Sequence, residues 1–396
     1  MMGNLPRWAT TSKDGGVPTL ALDERAILER GMDRLAELLG PGFEITLYRV
    51  AGGEESDEGI DAVYSVRATV GSAPYAQVLV EAKASLTPAA AKDVLLPQVR
   101  LLRQLHGQAT VLVIAPWLSP RTRAVLAERQ VSYLDLTGNV DFRLPTGVLI
   151  KTEGAQQNPD PTPHRRSRGL SGAAAGIIVR LLADFAPPYR QKDLAAVAGV
   201  SPGYLSRVLQ TLDDEALIRR EGSSIVAVEW PDLLRARAQN YNLLRSNHVT
   251  LTAMPKGADA LYRTLLTQGS ESTAVVTGSY AAREVAPVAV GGSLMIYVSP
   301  GPNGVADVAD EFSLLPAAAG SGNVVLLHPP STGPLQRTRS FGASEHVGLS
   351  QLVIDCLSGP GRMPAEGEAV LAHMIENEDA WRRRPGELAK DAAGLS

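Results

Sequence analysis

The stretch QKDLAAVAGVSPGYLSRVLQTL, residues 191–212, decides how the middle of this chain folds. Leu194, Ala195 and Ala198 fall on one face of a first helix, and Gly199 stands where the chain must turn with little room for a side chain. Val200 fills the corner, Ser201 is placed to N-cap a second helix, and Pro202 suits its first position. Leu205, Val208, Leu209 and Leu212 recur at helical spacing and form the buried stripe. That leaves Gly203, Tyr204, Ser206, Arg207, Gln210 and Thr211 on a polar face, so the stretch reads as a helix-turn-helix.

Residues 213–220, DDEALIRR, run from a helix end into a short strand; Glu221-Gly222-Ser223-Ser224 is turn chemistry, and Ile225-Val226-Ala227-Val228 is a second strand. Helix, turn, helix and hairpin in this order, over residues 169–229, resemble the winged helix-turn-helix superfamily of bacterial regulators. The resemblance implies a helix laid in the major groove of double-stranded DNA. Arg190, Lys192, Ser201, Tyr204, Ser206, Arg207, Gln210, Arg219 and Arg220 are the expected DNA-binding residues. The alternative is a three-helix module used for protein contact.

The 396 residues carry a net charge of −4, which by itself does not suggest a nucleic-acid partner. The distribution is uneven: residues 161–240 hold eleven Lys or Arg against eight Asp or Glu, a net +3 that leaves −7 elsewhere. Hydrophobic residues make up 44% and charged residues 20%, with no apolar run near the roughly 18 residues that span a bilayer. The single cysteine, Cys356, excludes an intramolecular disulfide. The first twenty residues, MMGNLPRWATTSKDGGVPTL, lack a signal peptide's apolar stretch and read as a disordered tail, so a cytoplasmic, nucleoid-associated protein is expected.

Residues 21–154 read as a mixed α/β domain of order αβββαβαβ. An amphipathic helix at 22–39 precedes strands at 43–50, 62–70 and 77–84, with an acidic, glycine-rich turn at 51–59. A helix to about His106, a continuous apolar strand at 109–115, a helix from Ser119-Pro120 and further strands complete it. Asp61 opens one strand, and VLVEAKAS sets Glu81 and Lys83 two apart on the next, hence on one sheet face. Two carboxylates and an ammonium in this pattern can hold Mg²⁺ and orient a water for phosphodiester cleavage. Residues 22–153 thus resemble the PD-(D/E)xK restriction-endonuclease-like fold, with Gln98 where that fold often carries a Gln. The resemblance implies catalytic Asp61, Glu81 and Lys83, with Asp61 and Glu81 as metal ligands. An exposed ion pair, or a fold that has lost catalysis, reads the same residues otherwise. Asp135 and Asp141 read as turn and strand-edge chemistry around Thr137-Gly138-Asn139.

The phrase YLDLTGN, followed by a short strand pair ahead of the winged helix, resembles bacterial regulators related to AbiEi-type antitoxins of type IV toxin–antitoxin systems. Residues 155–169, AQQNPDPTPHRRSRG, form a stiff, Pro-rich linker, whose Arg165, Arg166 and Arg168 are either solvated or track phosphates. Residues 170–230 are the winged domain, 231–384 a C-terminal α/β domain, and 385–396 a tail, with Arg382-Arg383-Arg384 read as mobile. Gly278-Ser279 after an apolar strand resembles the start of a nucleotidyltransferase motif, but SLMIYV at 293–298 brings no carboxylate, so the resemblance implies a degenerate domain. Gly278, Ser279 and Arg283 offer a nucleotide-binding sensor or a plain β-to-α turn.

The leading expectation is a sequence-specific DNA-binding regulator, a homodimer without a resident cofactor. Alternatives are a Mg²⁺-dependent nuclease targeted by the winged helix and an antitoxin-like autorepressor with a toxin as protein partner.

Overall fold

The computed structural model describes residues 23–50, 60–70, 75–107, 109–159, 170–288, 291–318 and 321–393. The expected N-terminal tail, the turn at 51–59, and Arg165, Arg166 and Arg168 with most of their linker lie outside the described residues. The chain divides into two compact units, Met1–Asp160 and Pro161–Ser396, both mixed α/β.

In the first unit, α1 (Glu24–Leu39) starts where Asp23 accepts a hydrogen bond from the Ala26 amide at 2.7 Å. Strands β1 (Phe43–Val50), β2 (Ala62–Ala68) and β3 (Ala76–Ala82) form an antiparallel meander. Thr87 then caps a helical run of α2 (Pro88–Ala90), a π-helical turn (Ala91–Leu95) and α3 (Leu96–His106). This run brings β4 (Thr110–Ala115) back parallel to β3. After α4 (Pro120–Glu128), β5 (Ser132–Asp135) lies parallel to β4, and β6 (Val140–Arg143) and β7 (Leu149–Thr152) finish the sheet antiparallel. The seven strands lie in sequence order.

Both faces of this sheet are covered, which is why β3 and β4 carry apolar residues on both sides, Gln77, Glu81 and Thr110 excepted. Val78, Val80, Leu112 and Ile114 pack on the Ile27, Leu28, Met32 and Leu35 stripe of α1. Leu79, Val111 and Val113 pack on Leu95, Val99, Leu102 and Leu126 on the other side. Gly31 lets α1 approach, because a Cβ there would collide with the Ile114 side chain. Asp135 is fully buried and serves as the expected turn anchor, accepting from the Thr137, Asn139 and Leu118 amides at 3.0–3.1 Å. Asp141 pairs with Arg143 at 2.7 Å.

The second unit opens with α5 (Ala173–Asp184), β8 (Tyr189–Arg190), α6 (Gln191–Ala198) and α7 (Pro202–Asp214). The hairpin β9 (Ile218–Glu221) and β10 (Ser224–Val228) joins β8 in a three-stranded sheet of order β8-β10-β9. Helix α8 (Trp230–Gln239) leads to β11 (His248–Ala253), α9 (Ala258–Gln268), β12 (Ala274–Thr277), α10 (Gly278–Arg283) and β13 (Leu294–Val298). Then follow α11 (Gly304–Glu311), β14 (Leu315–Pro316), β15 (Val324–His328), a 3-10 turn at Gly333–Leu335, β16 (Arg339–Phe341) and β17 (Ser344–His346). Helices α12 (Leu349–Leu357), α13 (Met363–Glu376), α14 (Glu378–Trp381) and α15 (Glu387–Ala393) close the chain. The second sheet has the order β14-β11-β15-β13-β12-β17-β16 and mixes parallel and antiparallel pairs.

Residues 170–230 and 231–384, read from the sequence as two domains, share one continuous core. It runs from Ile178, Leu182, Leu194 and Leu209 through Leu233 and Leu234 to Tyr297, Leu326 and Leu352. The charged segment at 382–384, expected to be mobile, is tied down instead. Arg382 Nε donates to the Ala183 carbonyl at 3.0 Å, and backbone bonds of 2.8 Å join Arg383 to Asp184 and Ala186. The last carbonyls of α5 gain donors from this return of the chain. The expected tail likewise contains α15, which packs on α6 through the buried Leu388.

Candidate nucleic-acid interface

The turn between α6 and α7 forms as its residue types require. Gly199 caps α6 in the left-handed conformation, φ 63° and ψ 34°. Ser201 Oγ accepts from the Tyr204 amide at 3.3 Å, so this hydroxyl is engaged in the N-cap. Leu205, Val208, Leu209 and Leu212 are buried, and Tyr204 is half-buried against the same core. The opposite side of α7 exposes Ser206, Arg207 and Gln210.

The nine expected contact residues divide by what already holds them. Arg190 pairs with Asp193 at 3.3 Å. Arg220 reaches across from β9 to Asp213 at 2.9 Å and to Gln210 Oε1 at 2.8 Å, while Gln210 Nε2 donates to Asp214 at 2.9 Å. This network fastens the hairpin to the end of α7 and neutralises Arg220. Lys192, Arg207 and Arg219 are exposed and have no side-chain partner among the described residues. The raw basic excess of residues 161–240 overstates the surface charge. Arg180 and Arg237 are buried, and Arg235 pairs with Glu368 at 2.7 Å.

The second expected site lies in the first unit. Asp61 Oδ2 accepts from the Ala82 amide at 2.6 Å, which pins the start of β2 to β3. Glu81 alternates with Val80 and so shares the sheet face of Leu79; its Oε1 lies 2.5 Å from Lys83 Nζ, and its Oε2 is buried without a hydrogen-bond partner among the described residues. Gln98 is half-buried on α3. Burial pushes the Glu81 carboxyl up to about 7, against the pull of Lys83. Burial also acts to lower the Lys83 ammonium, but Glu81, Glu24 and Asp61 outweigh it and the ammonium is raised. Among the described residues no group of three or more His, Cys, Asp or Glu could hold a metal ion. Mg²⁺ needs only one or two carboxylates beside waters, so Asp61 and Glu81 are compatible with it, the unpartnered Oε2 being the oxygen a cation or a proton would satisfy.

The Gly278-Ser279 turn is engaged within the protein. Ser279 Oγ donates to the buried Glu366 at 2.5 Å. Arg283 stacks on the Tyr280 and Tyr262 rings, 4.1 and 4.7 Å from their centroids, and pairs with Asp259 at 3.4 Å.

Comparison with protein-family models, curated proteins and solved structures gives no match.

Proposed function

We propose that this chain is a transcriptional regulator that binds double-stranded DNA sequence-specifically through residues 170–230, as a homodimer. The observation that carries this reading is the outer face of α7: Ser206 and Arg207 stand exposed on a helix whose other side is fully anchored, with Lys192 on α6 and Arg219 on β9 as further free cations. A rigid helix bearing an uncommitted guanidinium suits bidentate reading of a guanine edge, and the flanking cations suit phosphates. Ser201 and Tyr204 act by shaping the N-terminus of α7, and Arg220 by holding the hairpin. A single winged module buries little surface, so two copies on a pseudo-palindromic site are expected. Selection of binding sites from a randomised duplex library tests the proposal: enrichment of a common motif supports it, and no enrichment over input removes it.

An autorepressor of a toxin–antitoxin operon is a narrower form of this proposal, supported only by the resemblance carried by YLDLTGN, and it adds a toxin as partner.

A second reading, a Mg²⁺-dependent nuclease, is favoured by the buried, unpartnered Glu81 Oε2 beside Lys83. Asp61 and Glu81 would hold the cation, which would supply an activated water and offset phosphate charge. Lys83 would hold Glu81 in place and add positive charge at the cleaved phosphate. Glu81→Ala separates the readings: it leaves operator binding unaltered under the first and abolishes cleavage under the second.

A further inference from the structure

A cavity of about 260 Å³ opens in the second unit between α5, α8, the loop after α8 and the loop after β15. Arg180 and Arg237 line it and are 1% and 5% exposed, yet among the described residues no Asp or Glu lines it. Arg180 is held by neutral acceptors: it donates to the Gly333 carbonyl, to the Gln336 carbonyl at 2.6 Å and to Ser350 Oγ at 3.4 Å. Arg237 donates to the Leu170 carbonyl and to the Gly172 carbonyl at 3.2 Å, lies over the Tyr241 ring at 4.9 Å, and keeps its Nε buried without a partner among the described residues. Gly176 makes room for this guanidinium, since a Cβ there would stand 3.2 Å from Nη2.

A buried guanidinium is costly unless a counter-charge faces it. The nearby carboxylates do not supply one by contact. Asp184 is taken by Arg337 at 2.6 Å. Asp355 accepts from Thr277 and Gln351 at 2.7 Å and from Tyr297 at 3.1 Å. Burial pulls Arg180 down to about 10, still charged at neutral pH. The cavity therefore presents two cations and a ring of neutral hydrogen-bonding groups that includes Asn240, Tyr241, Ser331 and Gln351.

We propose that this cavity binds a small organic anion, a carboxylate or phosphate bearing hydroxyl groups, whose charge faces Arg237 and Arg180. Its volume is close to the lower end of small-ligand sites. Helices α5 and α8 enter and leave the helix-turn-helix segment, so control of DNA binding by this anion rests on the regulator reading; the binding itself does not.

The test is calorimetric titration of the full chain, without DNA and at constant ionic strength, with citrate, ribose 5-phosphate and inorganic phosphate as probes. Saturable one-to-one binding of citrate or ribose 5-phosphate is expected, tighter than that of inorganic phosphate. Arg237→Gln should weaken it at least tenfold. Because that variant can disturb folding, Ala173→Glu is the companion. Ala173 is an exposed cavity-lining residue at the first position of α5, where a carboxylate suits the helix dipole while competing for the guanidinium. It should abolish probe binding and leave the unfolding midpoint unchanged or higher. No saturable binding of any of the three probes, or binding that survives Ala173→Glu, would overturn the proposal.

Discussion

Replacing Arg207 by alanine should cost DNA affinity and almost no stability. The side chain is exposed on α7 with no partner among the described residues, and the helix is fastened from its other side by Leu205, Val208, Leu209 and Leu212. Loss of such a surface residue changes folding free energy by no more than about 0.5 kcal/mol. If the guanidinium reads a base edge, its removal weakens specific binding by about 1–3 kcal/mol, roughly 5- to 150-fold in Kd, and relaxes preference at one base pair. Arg220→Ala is the informative control. It removes the contacts to Asp213 and Gln210 that hold the hairpin, so it should lower stability by about 1 kcal/mol, with any loss of affinity following from a loosened hairpin. Fluorescence anisotropy against a library-selected duplex over a range of salt reads the affinities, and urea unfolding reads the stabilities. Unchanged affinity and base preference in Arg207→Ala would remove this residue from the recognition set, and equal destabilisation of both variants would refute the division between free and committed arginines.

Three further outcomes are expected. Ser201→Ala removes the acceptor for the Tyr204 amide and should destabilise the second unit by about 1 kcal/mol in urea unfolding, with Ser201→Asp restoring most of it. Gly31→Ala should destabilise the first unit by about 1–3 kcal/mol despite alanine's better helix propensity, and Ile114→Ala in the same chain should couple favourably with it, because the collision is with that side chain; additive losses would contradict the packing. Burial raises the Asp355 carboxyl from 3.8 to about 6, so the folded state holds this proton more tightly than the unfolded chain does. Its contribution is complete below about pH 4 and is lost as pH rises through 6, up to about 3 kcal/mol. Asp355→Asn should therefore gain stability relative to the parent chain across that interval, and a constant difference from pH 4 to 7 would contradict it.

What the sequence disclosed, and what it withheld, follows from the range of the interactions involved. The helix-turn-helix was readable because its determinants are local: a left-handed Gly199, an N-capping Ser201 and a leucine stripe all act within a few residues. The strands β1 to β4 were readable from their short apolar runs, whereas the antiparallel pairing of β1 to β3 and the parallel return of β4 depend on contacts distant in sequence. The π-helical turn at Ala91–Leu95 had no signal in a helical pattern that reads as continuous. The short strand β8, only Tyr189–Arg190, becomes a strand by pairing with Ile225 and Ser224. The anchoring of Arg382 and Arg383 on α5 depends on partners nearly two hundred residues away, so a run of three arginines looked like a solvated tail. Arg180 and Arg237 were counted as surface charge because composition does not distinguish a buried guanidinium from an exposed one. The one local hint was Arg180 alone among the apolar residues of AAAGIIVRLLA, 173–183.

The measurement that tests the central claim most directly is incubation of the purified chain with duplex DNA from upstream of its own gene. Parallel lanes contain EDTA or Mg²⁺, and the gel is read both for a retarded band and for cut DNA. The regulator account predicts a salt-sensitive, sequence-specific shift in both lanes, intact DNA, and a shift weakened in Arg207→Ala but unaltered in Glu81→Ala. Cleavage that requires Mg²⁺ and disappears in Glu81→Ala, or no shift that distinguishes this DNA from unrelated duplex, would contradict it.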